Sequence, residues 1–399
     1  MTNLYAAIEL GTTQTVLAVG KAHTGERLKI IQHAEINSSG VRKSQILDIK
    51  QAAQSIKSIV HAIQQKQGRN GDSLDIGNAF LVISGQYVKA DPNCGTWQVE
   101  GSKVTSHDID EVERNCQRMV LPKDRELIDI IYQTYGLDNL GGIASPKGMS
   151  GRVLRLNTLQ IHGDTNRIND ARTAANEANL ELRDPLFAVS CAAEAVLNDS
   201  EKRNGVLVLD LGGGSTGYAV YFDGYLAATG AIGIGGDHIS SDIAYAFQTT
   251  HAQSEDLKKK EASAVLVPAG GASARVHIHG SSALIETRTI SRRALDTVVN
   301  LRLKELFSII RRELEDQDLL HRLHAGVVLT GGGAALKNID ALAMKEFGLP
   351  VHIGRPIHVD GLSDVENPEA FAAIAGALMY AHKNYETKPL FSIFKGLFK

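Results

Sequence analysis

The sequence predicts a mixed α/β protein of two lobes with a cleft between them and a small α+β unit inserted in the first lobe. Three observations carry this. A short apolar strand that ends in an acidic residue and a Gly/Thr turn lies at residues 5–10, with Glu9 before Gly11-Thr12-Thr13. The same design recurs mid-chain at residues 206–209, with Asp210 before Gly212-Gly213-Gly214-Ser215-Thr216, and a third strand and glycine turn, Gly331-Gly332-Gly333, comes late. Between the first two, over residues 87–164, the pattern changes. At 399 residues the chain is too long for one ordinary domain and long enough to bury a sizeable core.

The elements follow in order. Residues 15–19 resume β character after the first turn, and residues 28–34 read as a third strand. Asp48 can cap a helix to about Gln65, with Ala52, Ile56, Ile59 or Val60, and Ile63 on one core-facing stripe. Residues 78–84 return as a strand. In the insertion, Thr105 or Ser106 caps a helix whose Ile109, Val112, Cys116 and Met119 share a face. Strand-like residues 127–132 and 153–162 flank the turn Pro146-Lys147-Gly148-Met149-Ser150-Gly151. After the central turn, residues 218–222, Asp223-Gly224 and residues 225–229 read as a hairpin. A helix over residues 291–315 has Leu295, Val298 or Val299, Leu303, Leu306 and Ile310 as its core stripe. Residues 327–336 read as strand, glycine turn and helix start.

Composition narrows the class. A net charge of −3 gives no bulk case for nucleic-acid binding. Cys94, Cys116 and Cys191 lack metal-ligand spacing, and so sparse a count fits a reducing compartment. No signal peptide is read at the N-terminus, and no apolar run reaches the ~20 residues of a membrane span. Glycine turns rich in N–H groups beside strand-end carboxylates suit a polyphosphate with its metal.

The three turns together, by order and spacing, resemble the actin, heat-shock chaperone and sugar-kinase ATPase superfamily, which implies an actin-like (ribonuclease H-like, duplicated) two-lobed ATPase fold. A closer resemblance rests on Ile83-Ser84-Gly85, residues 121–126 (Leu-Pro-Lys-Asp-Arg-Glu), the Gly148-Met149-Ser150-Gly151 turn, residues 193–197, Gly235-Gly236-Asp237-His238, residues 289–295 and Ile353-Gly354-Arg355-Pro356. Over nearly the whole chain these are similar to the FtsA family of bacterial cell-division proteins. The resemblance implies a first lobe core at 1–86 and 165–199, the inserted subdomain at 87–164, a second lobe core at 200–232 and 313–358, its upper subdomain at 233–312, a return to the first lobe at 359–387 and a tail at 388–399. It places the insertion on the first lobe, in place of the actin-type upper subdomain. It departs from the family at Glu9 for Asp, at Gln14 for a frequent Lys, at Gly217 for a frequent acid, and at Leu154-Arg155-Leu156-Asn157.

The resemblance implies Mg²⁺ and ATP as cofactors. Gly11, Thr12 and Thr13 with Gly212 to Thr216 hold phosphates; Glu9 and Asp210 hold Mg²⁺ through water; Gly331 to Gly333 flank the adenosine, and Glu255 and Lys258 reach ribose and base. Glu194 is the candidate for placing attacking water, with hydrolysis slow because Gly217 has no carboxylate. It also implies self-association into filaments and a site for the acidic C-terminal tail of FtsZ, with Arg293 and Arg302 as contacts, besides other division proteins. The C-terminal segment has Leu390, Phe391, Phe394, Leu397 and Phe398 on one helical face with Lys395 and Lys399 off its centre. Such a segment lies on an anionic membrane surface rather than spanning it. A small-molecule kinase would need a carboxylate base that no substrate-loop motif supplies. A chaperone needs a further domain, and a pilus-assembly adaptor of the same fold would lack the tail.

Overall fold

The computed structural model describes residues 2–23, 25–65, 76–118, 121–266, 275–278 and 287–386. The chain starts with an antiparallel meander, β1 (Thr2–Leu10), β2 (Gln14–His23) and β3 (Lys29–Asn37). A two-residue-strand hairpin follows, β4 (Val41–Arg42) and β5 (Gln45–Ile46), then helix α1 (Ile49–Gln65) and β6 (Asn78–Ile83), parallel to β1. Asp48 caps α1, its carboxylate accepting from the Gln51 N–H at 3.0 Å. Ala52, Ile56, Ile59 and Ile63 are buried as the helical period requires, and Ile59 rather than Val60 takes the core position.

The insertion comprises β7 (Val88–Gln98), α2 (Ser106–Gln117), β8 (Arg125–Leu137), β9 (Leu140–Ile143) and β10 (Val153–Asp164), in sheet order β7-β10-β8-β9. Thr105 and Asp108 form a reciprocal capping box at the start of α2. Val112 and Cys116 are buried on this sheet, while Met119 of the expected stripe falls outside the described residues. Strand β8 is longer than the sequence pattern implies because it pairs along most of its length with β10. The chain re-enters the first lobe through α3 (Thr165–Glu177) and β11 (Glu181–Phe187), closing a sheet of order β11-β6-β1-β2-β3.

Helix α4 (Ala188–Val196) and short α5 (Asp199–Asn204) lead to β12 (Val206–Leu211), β13 (Thr216–Phe222) and β14 (Tyr225–Ile232). Then come α6 (Gly236–Phe247), α7 (His251–Lys260), the pair β15 (Arg275–Ile278) and β16 (Arg288–Ser291), and the long α8 (Arg292–Asp316). Strand β17 (Gly326–Thr330), α9 (Ile339–Phe347), β18 (Val351–Ile353) and α10 (Ala372–Glu386) complete the fold. After the third glycine turn the chain makes only a 3-10 turn at Gly332–Ala335; the helix expected there starts at Ile339.

The second lobe's sheet runs β14-β13-β12-β17-β18, the same topology as the first: an antiparallel meander extended by two parallel strands. Helices α4 and α10 lie between the two sheets, and one apolar cluster joins Ala7 and Ala18 of the first sheet to Val206, Val208 and Ala219 of the second through Ala192 and Leu378. The two helices approach so closely that a Cβ on Gly376 would lie 1.8 Å from the Cys191 carbonyl oxygen. The insertion also reaches the second lobe: Gln133 Nε2 donates to the Leu226 and Ala227 carbonyls on edge strand β14, at 2.9 and 3.1 Å.

Candidate functional site

Duplication places the two strand-end carboxylates opposite one another. Glu9, at the end of β1, and Asp210, at the end of β12, both line a cavity of about 620 Å³ between the lobes. Burial, and then repulsion from Asp210, push Glu9 up to about 8. Burial pushes Asp210 up to about 6. Neither has an ion pair among the described residues, so two carboxyls that become acceptor-only groups once ionised face one space with no cation paired to either. A hard divalent cation suits that donor set, and Glu9 and Asp210 fit the metal-holding role the sequence implies.

All three glycine turns converge on the same cavity, which Gly11, Thr12, Thr13, Gly212 to Thr216 and Gly331 to Gly333 line. The first two turns meet face to face. A Cβ on Gly213 would lie 2.1 Å from Thr13 Oγ1, and one on Gly214 2.3 Å from Thr12 Oγ1. Only glycine allows that approach. The second turn is tied to the start of α6 by Gly236 N–H to the Gly212 carbonyl and Asp237 N–H to the Gly213 carbonyl, both 2.9 Å. Thr13 Oγ1 donates to Asp237 Oδ1 across the lobes at 3.3 Å. Gly331 has φ 79°, and a Cβ there would sit 2.3 Å from Asp210 Oδ1.

Glu255 and Lys258, on α7, also line the cavity, beside the start of α6. Lys258 Nζ donates to Glu255 Oε2 at 2.6 Å and to the Gly236 carbonyl at 3.0 Å, and Ser240 donates to the same carboxylate at 2.6 Å. Burial alone would raise Glu255; the Lys258 charge and these hydrogen bonds outweigh it and hold the carboxyl below its ordinary value.

Two expected roles are not met by the geometry. Glu194 does not line the cavity. It lies past the middle of α4, while the cavity is lined by Ala188 and Val189 at that helix's start. Its carboxylate pairs with Lys202 at 2.8 Å and accepts from the Tyr221 hydroxyl at 3.1 Å. The water-placing role assigned to it fails on position. Arg302 is not a free cation on the outer surface of α8: it lines the cavity rim, Asp242 holds it through two bonds of 2.6 and 2.9 Å, and Glu305 also pairs with it. Arg293 is exposed and makes no ion pair among the described residues. The tail residues Phe391, Phe394, Lys395, Leu397, Phe398 and Lys399 lie outside the described residues.

Sequence reasoning missed other lining residues, namely Ser44, Glu35, Glu366 and Asn367. No glycine signal marks them; they reach the cavity through the β4–β5 hairpin, β3 and the crossing before α10. Gly217 also lines the cavity, and a Cβ there would meet Val189 Cβ at 2.7 Å. The acid common at this position has no room beside Val189.

Two sheets of identical topology around a cleft with a carboxylate and glycine turns from each lobe define an actin-like ATPase fold. Solved structures of that fold agree: the PilM–PilN type IV pilus biogenesis complex matches with a TM-score of 0.64 at 17% identity, over 94% of this chain and 98% of that one. MreB5 of Spiroplasma citri bound to AMPPNP matches with a TM-score of 0.54 at 16% identity, over 99% of each chain. The family model described as "Cell division protein FtsA" matches residues 207–376, and the one described as "SHS2 domain inserted in FTSA" matches residues 85–162. Cell division protein FtsA of Pseudomonas aeruginosa is 30% identical over 378 residues, 94% of this chain and 89% of the relative. That of Escherichia coli K12 is 27% identical over 390 residues, 96% and 91% of the two. The chain belongs to the FtsA family of cell division proteins.

Proposed function

We propose that this protein binds Mg·ATP in the cleft, polymerises, and tethers FtsZ filaments to the cytoplasmic membrane at the division site, where it recruits further division proteins. The observation that carries the nucleotide part is the convergence of three glycine turns and the unpaired Glu9–Asp210 couple on one cavity of about 620 Å³. Backbone N–H groups of the turns and the Thr12 and Ser215 hydroxyls supply phosphate donors, while the Thr13 and Thr216 hydroxyls donate to Asp237 and the Ile234 carbonyl. Gly331 to Gly333 and the α7 pair Glu255 and Lys258 bracket the nucleoside. Glu9 and Asp210 hold Mg²⁺, which screens phosphate charge when bound. With Glu194 turned away and Gly217 bare, ATP serves as a structural ligand hydrolysed slowly at most. That MreB5 of Spiroplasma citri, which shares this fold, is bound to AMPPNP supports a nucleotide ligand.

The division role rests on the family. FtsZ recognition is by its acidic tail on α8, with Arg293 as the exposed cation and Arg302 available only in competition with Asp242 and Glu305. Filaments arise from head-to-tail contacts that do not close. The segment 388–399 provides the membrane anchor. A pilus-assembly adaptor is the runner-up, favoured by the likeness to the PilM–PilN complex; the match of residues 85–162 to the FtsA insertion favours the division role.

The test is calorimetric titration of Mg·ATP into the full chain and its Asp210→Asn variant. Wild-type binding that Asp210→Asn weakens at least tenfold in Mg²⁺ supports the reading. No heat from the wild type with ATP defeats it, and phosphorylation of a sugar panel would assign the fold to a kinase instead.

A further inference from the structure

The β4–β5 hairpin reaches the cleft where the first two glycine turns converge. Its tip, Lys43 and Ser44, is left-handed at both residues, with φ 50° and 57°. Asn and Gly adopt that conformation at least cost, so a Lys-Ser pair there needs a reason beyond the turn itself. Ser44 is buried and lines the cavity. Its N–H donates to Thr12 Oγ1 at 2.8 Å, and its hydroxyl lies 3.2 Å from Ser215 Oγ, so it touches the first and second turns at once. The fit around the tip is close: a Cβ on Gly214 would lie 3.0 Å from Lys43 Cα, and one on Gly85 would lie 2.9 Å from Ser44 Cβ.

Charge points the same way. The cations lining the cavity are Lys258, Lys259 and Arg302, all from the second lobe, whereas the first lobe contributes Glu9, Glu35 and Glu366 and has the neutral Gln14 beside its turn. Lys43 is exposed and lies near the start of α6, where, after burial, its charge holds the His238 imidazole below its ordinary value.

We propose that the hairpin tip is a fourth element of the phosphate cradle. Ser44 Oγ–H donates to a terminal phosphate oxygen of a bound nucleoside triphosphate, and the Lys43 ammonium neutralises that phosphate from the first-lobe side, the charge Gln14 does not supply. This rests on the nucleotide reading above. A hydroxyl both donates and accepts, so Ser44 can turn from Ser215 to a phosphate without losing a partner. Lysine is a point charge on a flexible stem, suited to swing onto an arriving phosphate.

The experiment is calorimetry with Mg·ATP on the full chain, comparing wild type, Ser44→Gly, Lys43→Ala and, as a neighbouring exposed cation, Arg42→Ala. Melting without nucleotide is recorded for each. Ser44→Gly relaxes the left-handed backbone, so it is expected to melt no lower than wild type and yet bind ATP about tenfold more weakly. Lys43→Ala loses a similar factor and shows a flatter salt dependence, while Arg42→Ala matches wild type. Wild-type affinity in either Ser44→Gly or Lys43→Ala removes that residue from the cradle, and in both overturns the proposal. A Ser44→Gly protein that loses melting temperature and affinity together has lost a structural residue, which overturns the Ser44 role. Absence of ATP binding by the wild type is a different failure, visible before any variant is compared: it ends the nucleotide reading itself.

Discussion

Gly217 shows how one residue's chemistry depends on its neighbour. A carboxylate there could face the cavity, but Val189 occupies the space a Cβ needs, 2.7 Å away. Gly217→Asp is expected to destabilise the fold by about 1–3 kcal/mol, as overpacking does, without faster ATP turnover. Adding Val189→Ala should restore most of the stability, as read from melting temperatures of the single and double variants. The Glu9–Asp210 couple gives a pH dependence. Both carboxyls are raised in the fold, Glu9 to about 8 from 4.5 and Asp210 to about 6 from 3.8. The folded state therefore holds more protons than the unfolded one between each pair of values. Their contribution to stability is full below about pH 4 and is lost as pH rises, through about 6 for Asp210 and about 8 for Glu9. Thermal melts without Mg²⁺ from pH 5 to pH 9 should show the decline, and Glu9→Gln should remove its upper half. A metal that binds the deprotonated pair should tighten over the same window.

At the scale of elements, α8 serves two faces. Leu295, Val299, Leu303, Leu306 and Ile310 are buried, while its arginines differ in how they are engaged. Arg302 is held by Asp242 and Glu305, so Arg302→Glu would set a third carboxylate against two others and weaken the α6–α8 contact. Loss of a partner in that variant would not separate recognition from folding. Arg293, exposed and unpaired among the described residues, is the cleaner probe. Arg293→Glu is expected to abolish recovery of FtsZ in a pull-down with no change in melting temperature; equal recovery argues against an α8 tail site.

At the scale of the molecule, α4 and α10 form a shared wall between the sheets, so the lobes are joined by a packed helix pair rather than a loose linker. No helix among the described residues is long and apolar enough to cross a membrane. On the proposed reading, membrane attachment falls to the segment 388–399, whose sequence pairs periodic apolar residues with lysines as an anionic surface requires. A chain ending at Thr387 should fail to sediment with anionic liposomes that pellet the full chain. The difference should grow with polymerisation, because linked anchors bind by effective concentration. Equal pelleting of the truncated chain would remove the tail from that role.

Local pattern alone determined much of this protein. The apolar strands, the Asp48 and Thr105 caps, the α1 and α8 stripes and the three glycine turns were legible because each depends on residues within a few positions of one another. The repeat of the strand–acid–turn unit was legible too, while the joint role of Glu9 and Asp210 came from the family resemblance. What the tertiary structure decided are the relations between distant segments. Glu194 reads as a cleft residue in sequence, yet its place on α4 points it to Lys202 and Tyr221. Arg302 finds Asp242, 60 positions away, and is drawn to the cavity rim. Ser44 enters the site only because the β4–β5 hairpin folds against Thr12 and Ser215, 32 and 171 positions away. Periodicity carries a residue's face and conformation, but contact across the lobes depends on packing that no local pattern encodes.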